Sequence, residues 1–171
     1  FVLILPEASC GALAFRKSLK DFGCMAKLVI GAGATLPYAT RAISPGVCKV
    51  IGLKTSVKIA ACPAADNERL AKAFSSFKNF ELCENVIATS IDNINLLVHP
   101  APVMLHISRI EATPQQDYEY YGDGFTPSVG RLLEQIDAER IAVARAYGIN
   151  QRTLKQEFIE MYSPGLRSQP L

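Results

Sequence analysis

The chain contains no tryptophan, only two histidines and, in 171 residues, no Cys-x-x-Cys pair. Its five cysteines (Cys10, Cys24, Cys48, Cys62 and Cys83) are odd in number and far apart, which excludes the spacing of a structural zinc site or a dithiol redox motif. Apolar or small residues beside each suit reduced thiols in a cytoplasmic protein. No metal site is expected. Lys and Arg number 18 against 16 Asp and Glu, without a basic stripe, so there is no electrostatic footprint for nucleic acid. No apolar run reaches membrane-spanning length, and no membrane partner is expected. The Gly-x-Gly-x-x-Gly turn that cradles a dinucleotide pyrophosphate is also absent; Gly31-Ala32-Gly33-Ala34 is a faint echo of it. The opening Phe-Val-Leu-Ile-Leu-Pro has no initiating Met, basic leader or cleavage site. The expectation is a chain entered partway through a larger protein.

What is present is enough apolar residue (49%, against 20% charged) for an ordinary folded core. Residues 1–5 form a continuous apolar run, the pattern of a strand covered on both faces. A helix is predicted over 13–22, strands over 25–30, 47–53 and 57–62, and a helix over 64–77 carrying Leu70, Ala73, Phe74 and Phe77 at helical spacing. Strands alternating with helices predict the latter part of an open α/β sheet. Composition shifts near residues 78–84, and from there the strand signal disappears. Residues 85–97 and 100–112 read as helices broken at the His99-Pro100 step, and 113–126 as a loop. The stretch 127–147 reads as a long helix with Thr126 as cap, Pro127 in the first position and Gly148 closing it, and 152–162 as a last helix. The predicted fold class is therefore α/β followed by all-α: residues 1–80 as the end of a Rossmann-like domain, and 81–171 as a helical domain.

Candidate functional residues concentrate at a few places. His99 stands at a helix N-terminus, where Pro100 suits the first position and the backbone dipole opposes imidazole protonation, while a nearby carboxylate would favour it. It either caps the helix or titrates as an acid/base group. On the long helix, Arg140 falls within about 20° of the middle of a face formed by Val129, Leu132, Leu133, Ile136, Val143 and Tyr147. A cation there must be paired. Asp137, at i and i+3, is either its local partner in packing or, facing a cleft, the group that orients a histidine while Arg140 clamps a carboxylate. Tyr38 and Arg41 lie on a proline-restricted segment, 35–41, as ligand contacts or as packed loop. Lys54 reads as a surface lysine, Asn93 and Asn95 as caps or ligand contacts, and His106 as a satisfied interhelical histidine. The tyrosines at 118–121 read as packing on the long helix or as a lid.

Three segments, in order, resemble the octopine/nopaline (opine) dehydrogenases: Thr35-Leu36-Pro37-Tyr38-Ala39-Thr40-Arg41; Val98-His99-Pro100-Ala101; and Tyr120-Tyr121 followed by Thr126-Pro127-Ser128-Val129 and Ile136-Asp137-Ala138-Glu139-Arg140. The resemblance implies a nucleotide-binding Rossmann domain followed by a helical substrate and dimerisation domain of the 6-phosphogluconate-dehydrogenase C-terminal type. It further implies NAD or NADP as cofactor, and reduction of the imine formed between a 2-oxo acid and an amino acid, both small-molecule substrates. His99 would be the catalytic acid/base group and Asp137 the carboxylate holding it. Arg140, Thr35, Tyr38, Arg41 and Asn95 would contact substrate, and Pro6 and Gly11 would approach the cofactor. Two departures stand out. The family's Glu-Thr pair before Thr-Leu-Pro-Tyr is replaced within Gly31 to Ala34, and Pro6-Glu7-Ala8-Ser9-Cys10-Gly11 replaces a more glycine-rich turn. The rival reading is a non-catalytic assembly module whose helices form a homodimer around the Asp137–Arg140 pair.

Overall fold

The computed structural model describes residues 2–6, 10–112 and 117–162. It divides into two compact units, one taking in the chain up to Asn93 together with the last helix from Gln156, the other spanning Ile94–Lys155.

In the first unit, β1 (Val2–Pro6), β2 (Val29–Gly33), β5 (Val57–Cys62) and β6 (Phe80–Leu82) form one sheet in the order β1-β2-β5-β6. β1 and β2 are parallel, β2 and β5 antiparallel, and β5 and β6 parallel. The two-residue period of the strands assigns each side chain to a layer. Ile30, Ala32, Ala60 and Cys62 face one side, where Ala12, Phe15 and Leu19 of α1 (Gly11–Asp21) and Val86 of α3 (Val86–Asp92) cover them. Val29, Val57, Ile59 and Ala61 face the other, under Leu70 and Phe74 of α2 (Asn67–Phe74). Gly31 lets α2 approach: a Cβ there would lie 3.1 Å from both Leu70 methyls.

Three sequence expectations change. The second strand starts at Val29 rather than Met25, and β6, only three residues long, sits inside the stretch read as a composition shift. The run 47–53 does form a strand, β4 (Val47–Leu53), but outside the main sheet. It pairs with β3 (Tyr38–Ser44), a segment read from its proline as loop. Gly46, at φ +77°, supplies the left-handed residue that the connecting turn needs. Val47, Val50, Ile51 and Leu53 are all more than half exposed, so the apolar run of β4 does not mark burial.

The second unit is helical: α4 (Asn95–Val98), α5 (Pro100–Leu105), α6 (Ile107–Ala112), α7 (Tyr120–Asp123), α8 (Pro127–Ala146) and the start of α9 (Leu154–Tyr162). α8 starts and stops where its sequence directs. Thr126 Oγ1 accepts from Val129 N at 3.4 Å, and Pro127 occupies the first position. Gly148, at φ +72°, closes the far end, with Gly148 N donating to Arg145 O and Ile149 N to Ala144 O, both at 2.9 Å. Its buried side differs from the predicted one. Val129, Leu133, Asp137 and Ala144 are buried, whereas Val143 and Tyr147 are exposed.

Back in the first unit, Lys58 is a part-buried cation with two carboxylates: Asp92 at 2.5 Å and Glu157 of α9 at 3.2 Å. Burial lowers the affinity of this amine for its proton, but the two acids outweigh that and hold its pKa above the ordinary lysine value.

Candidate active site

The His-Pro break carries the first group. α4 ends and α5 begins at His99, whose backbone stays helical at φ −98°, ψ −52°. In a continuous helix the Val98 carbonyl would accept from the residue four positions on, but that residue is Pro102, which has no N–H. The Tyr120 hydroxyl replaces the missing donor, at 2.6 Å from Val98 O and 3.0 Å from His99 O. Burial, with Tyr121 and Tyr118 nearby, raises the Tyr120 pKa, so the phenol stays protonated and able to donate. The His99 side chain is exposed and tilts against the Tyr120 ring at 5.7 Å between centroids. Among the described residues its ring makes no hydrogen bond or ion pair. His99 is thus not a capping side chain. His106 is satisfied within its own helix, its Nδ1 lying 2.9 Å from Pro102 O, rather than between helices.

Asp137 and Arg140 form the second group, and they meet each other rather than His99. Arg140 Nε and Nη2 grip Asp137 Oδ1 at 2.8 and 2.7 Å, and Nη2 also donates to Arg152 O at 2.6 Å. Asp137 Oδ2 accepts from Leu154 N at 2.7 Å, placing a carboxylate at the N-terminus of α9, where the helix dipole favours it. Both side chains are more than nine-tenths buried. The structure therefore does not bring Asp137 to the His99 imidazole, and the Arg140 guanidinium is turned inward. A full set of internal acceptors explains why α8 tolerates two charges on its buried side.

The third group lies in the first unit. Thr35, one residue beyond the buried Ala34 that follows β2, accepts a 2.5 Å hydrogen bond from Lys54 Nζ. Lys54 N also donates to Pro37 O at 2.9 Å, so one residue ties down the segment 35–37 by main chain and side chain. The surface assignment of Lys54 is corrected: it is 8% exposed, and burial pulls its pKa down to about 8. Tyr38 and Arg41 lie on β3 with exposed side chains, and Asn95 is exposed in the first turn of α4, whereas Asn93 is buried.

Cofactor contacts were expected at Pro6 and Gly11. Pro6 ends β1 and Gly11 starts α1; Glu7, Ala8 and Ser9 between them lie outside the described residues. Cys10, a non-glycine residue at φ +64°, takes the conformation that glycine adopts most readily, and its N–H donates to Ser90 Oγ at 3.3 Å. With that amide engaged and no glycine fingerprint, the described residues do not make a dinucleotide cradle by themselves. No cluster suited to a metal ion occurs among them either.

The alpha-helical-domain model of the NAD/NADP octopine/nopaline dehydrogenases matches residues 82–168, just over half of the chain. The chain belongs to this family. It is 36% identical over 163 residues to the opine dehydrogenase of Arthrobacter sp. (strain 1C), covering 94% of this chain but only 44% of that protein. Among solved structures it is similar to apo yersinopine dehydrogenase, with a TM-score of 0.66 at 16% identity over 95% of this chain and 41% of that one. It is also similar to octopine dehydrogenase with NADH and L-arginine, with a TM-score of 0.58 at 20% identity, covering 85% and 37% of the two chains. These likenesses establish the architecture: a partial Rossmann-like α/β portion followed by the helical domain. The chain spans less than half the length of the relatives it matches.

Two residues that sequence reasoning missed now stand out in this family member. Tyr120 had a readable signal, since Pro102 leaves the Val98 carbonyl without a local donor. Lys54 had only a weak one, a lysine directly after an apolar strand.

Proposed function

We propose that the protein to which this chain belongs catalyses NAD(P)H-dependent reduction of the imine between a 2-oxo acid and an amino acid. Membership of the octopine/nopaline dehydrogenase family carries the reading, supported by the 36% identity to an opine dehydrogenase across 94% of the chain. The nicotinamide, when bound, supplies a hydride; the residues of this chain supply position and a proton. His99 is the proton-handling group. Its ring is exposed and, among the described residues, free of a competing hydrogen bond, and its backbone carbonyl accepts from the Tyr120 hydroxyl. Asp137 acts at one remove, holding Arg140 and the start of α9. Tyr38, Arg41 and Asn95 are exposed side chains able to contact substrate, and Pro6 and Gly11 are the residues assigned to the cofactor. In family terms, residues 1–80 close the nucleotide domain and 81–171 form the helical one.

We place the protein in the cytoplasm, in keeping with five free cysteines. No helix among the described residues is long and apolar enough to cross a membrane. Met104, Leu105 and Ile107, all exposed, offer an apolar surface on which a homodimer would form. In the full-length protein, NAD(P)H oxidation should require both a 2-oxo acid and an amino acid. His99→Ala should lower kcat about 100- to 10,000-fold, the usual contribution of a positioned acid/base group. Unchanged turnover in that variant removes His99 from the chemistry.

A further inference from the structure

Among the described residues, Lys54 is a cation with no anion. Its side chain lies in the first unit at 8% exposure, and its ammonium donates to Thr35 Oγ1 at 2.5 Å. An ammonium has three N–H donors. Among the described residues, the Thr35 hydroxyl is its only hydrogen-bond acceptor, and no carboxylate lies within ion-pairing distance. Buried charges are ordinarily paired. Lys58, part-buried in the same unit, shows the ordinary outcome, with a carboxylate from each of two helices.

The position of the amine is as informative as its isolation. Lys54 leaves β4 and Thr35 follows β2, so the pair stands by the carboxyl end of β2, where Gly33 is in register with Pro6 at the end of β1. Open α/β sheets bind ligands outside the carboxyl ends of their strands. The hydrogen-bond direction matters too. Thr35 Oγ1 accepts from the ammonium, which leaves its own O–H as a donor. Lys54 and Thr35 together can thus offer an N–H and an O–H to the two oxygens of one carboxylate, with the positive charge behind them.

We infer that Lys54, set in place by Thr35, binds a carboxylate of the substrate in this protein. The inference rests on the imine-reducing reaction proposed above, which needs a cation for a substrate carboxylate. Arg140, the earlier choice, is committed to Asp137 and the Arg152 carbonyl. Both the 2-oxo acid and the amino acid carry the required group, and the carboxylate is the shared chemistry. The lowered Lys54 pKa agrees with an amine awaiting its counter-ion, since an arriving carboxylate stabilises the protonated form.

The test uses the full-length protein and the variants Lys54→Met, Lys54→Arg and Thr35→Val. Two readouts are taken: KM for the 2-oxo acid, the amino acid and NAD(P)H, and calorimetric binding of oxalate as a carboxylate probe independent of turnover. Lys54→Met should raise the KM of one carboxylate substrate, and weaken oxalate, about 10- to 100-fold, the loss of a charge-assisted hydrogen bond. Lys54→Arg should retain part of the affinity, and the KM for NAD(P)H should stay in place. A rise for the oxo acid alone, or for the amino acid alone, names the carboxylate bound. Wild-type affinities in Lys54→Met, or a loss confined to NAD(P)H, overturn the inference. If the wild type oxidises NAD(P)H with no pair of substrates, the proposed reaction falls, and oxalate then decides this site alone. Lys54-dependent binding upholds it; absent or unaffected binding overturns it. Should Lys54→Met fail to fold, Thr35→Val, which removes one donor with little change of shape, should shift the same KM by a smaller factor, and an unchanged KM overturns the inference.

Discussion

Replacing Arg140 with methionine separates a packing role for the Asp137–Arg140 pair from a surface ornament. The substitution keeps most of the apolar stem and removes at least three polar contacts: two onto Asp137 Oδ1 at 2.8 and 2.7 Å, and one onto Arg152 O at 2.6 Å. At about 1.5–3 kcal/mol for each charge-assisted bond the nominal sum is about 5–9 kcal/mol. That sum is too large, because Asp137 keeps the Leu154 N–H and can take up a proton or water. Orphaning one partner of a buried pair costs about 3–5 kcal/mol, and that is the expected loss. Urea unfolding of the full-length protein, followed by circular dichroism, measures it. The double variant Asp137→Leu with Arg140→Met should recover much of the loss, since an apolar pair leaves no stranded charge. A cost for Arg140→Met under about 1 kcal/mol, the value of an exposed pair, would refute the reasoning.

Two further outcomes follow from the same geometry. Tyr120→Phe removes the donor shared by Val98 O and His99 O and should cost about 1–3 kcal/mol for the Val98 carbonyl, since His99 O keeps the Val103 N–H, while lowering kcat through a less fixed His99; undiminished stability and kcat would show that the break holds itself. Lys54 predicts a pH effect of unusual sign. Its folded pKa of about 8 lies below the unfolded 10.5, so the unfolded chain binds more protons between those values and stability rises with pH across that window. At about 1.36 kcal/mol per unit, the charged amine costs up to about 3 kcal/mol at pH 7. Lys54→Met should therefore melt higher than wild type at pH 7 and lose that advantage between pH 8 and 10.5. A gap independent of pH contradicts this.

Local signals were legible where local physics decides. Thr126, Pro127 and Gly148 bound α8 because caps and φ restrictions act within a turn of the chain. The strand over 57–62 was read at its observed bounds because a short apolar run between turn residues suits a covered strand. Tertiary partners were not legible. β4 has the composition of a core strand, yet it is hairpinned on β3 with its apolar residues exposed, since pairing depends on what lies beside it rather than on its own period. The buried side of α8 centres on Asp137 rather than on an all-apolar face, because Arg140, Arg152 and Leu154 together satisfy the carboxylate, and no helical wheel contains residues 152 and 154. His99 was found by its proline. That Asp137 would not reach it depended on the same three groups. Lys54 was misplaced because a lysine after a strand is solvated unless the fold closes over it.

The phenol of Tyr120 has a consequence for how this fold tolerates change. By surrendering an amide at Pro102, the chain made the shape of its own bend conditional on a side chain 22 positions downstream. The histidine at that bend is therefore answerable to a distant stretch of sequence. Insertions or exchanges around residues 117–125 should be felt at His99 before they are felt anywhere else in the helical unit.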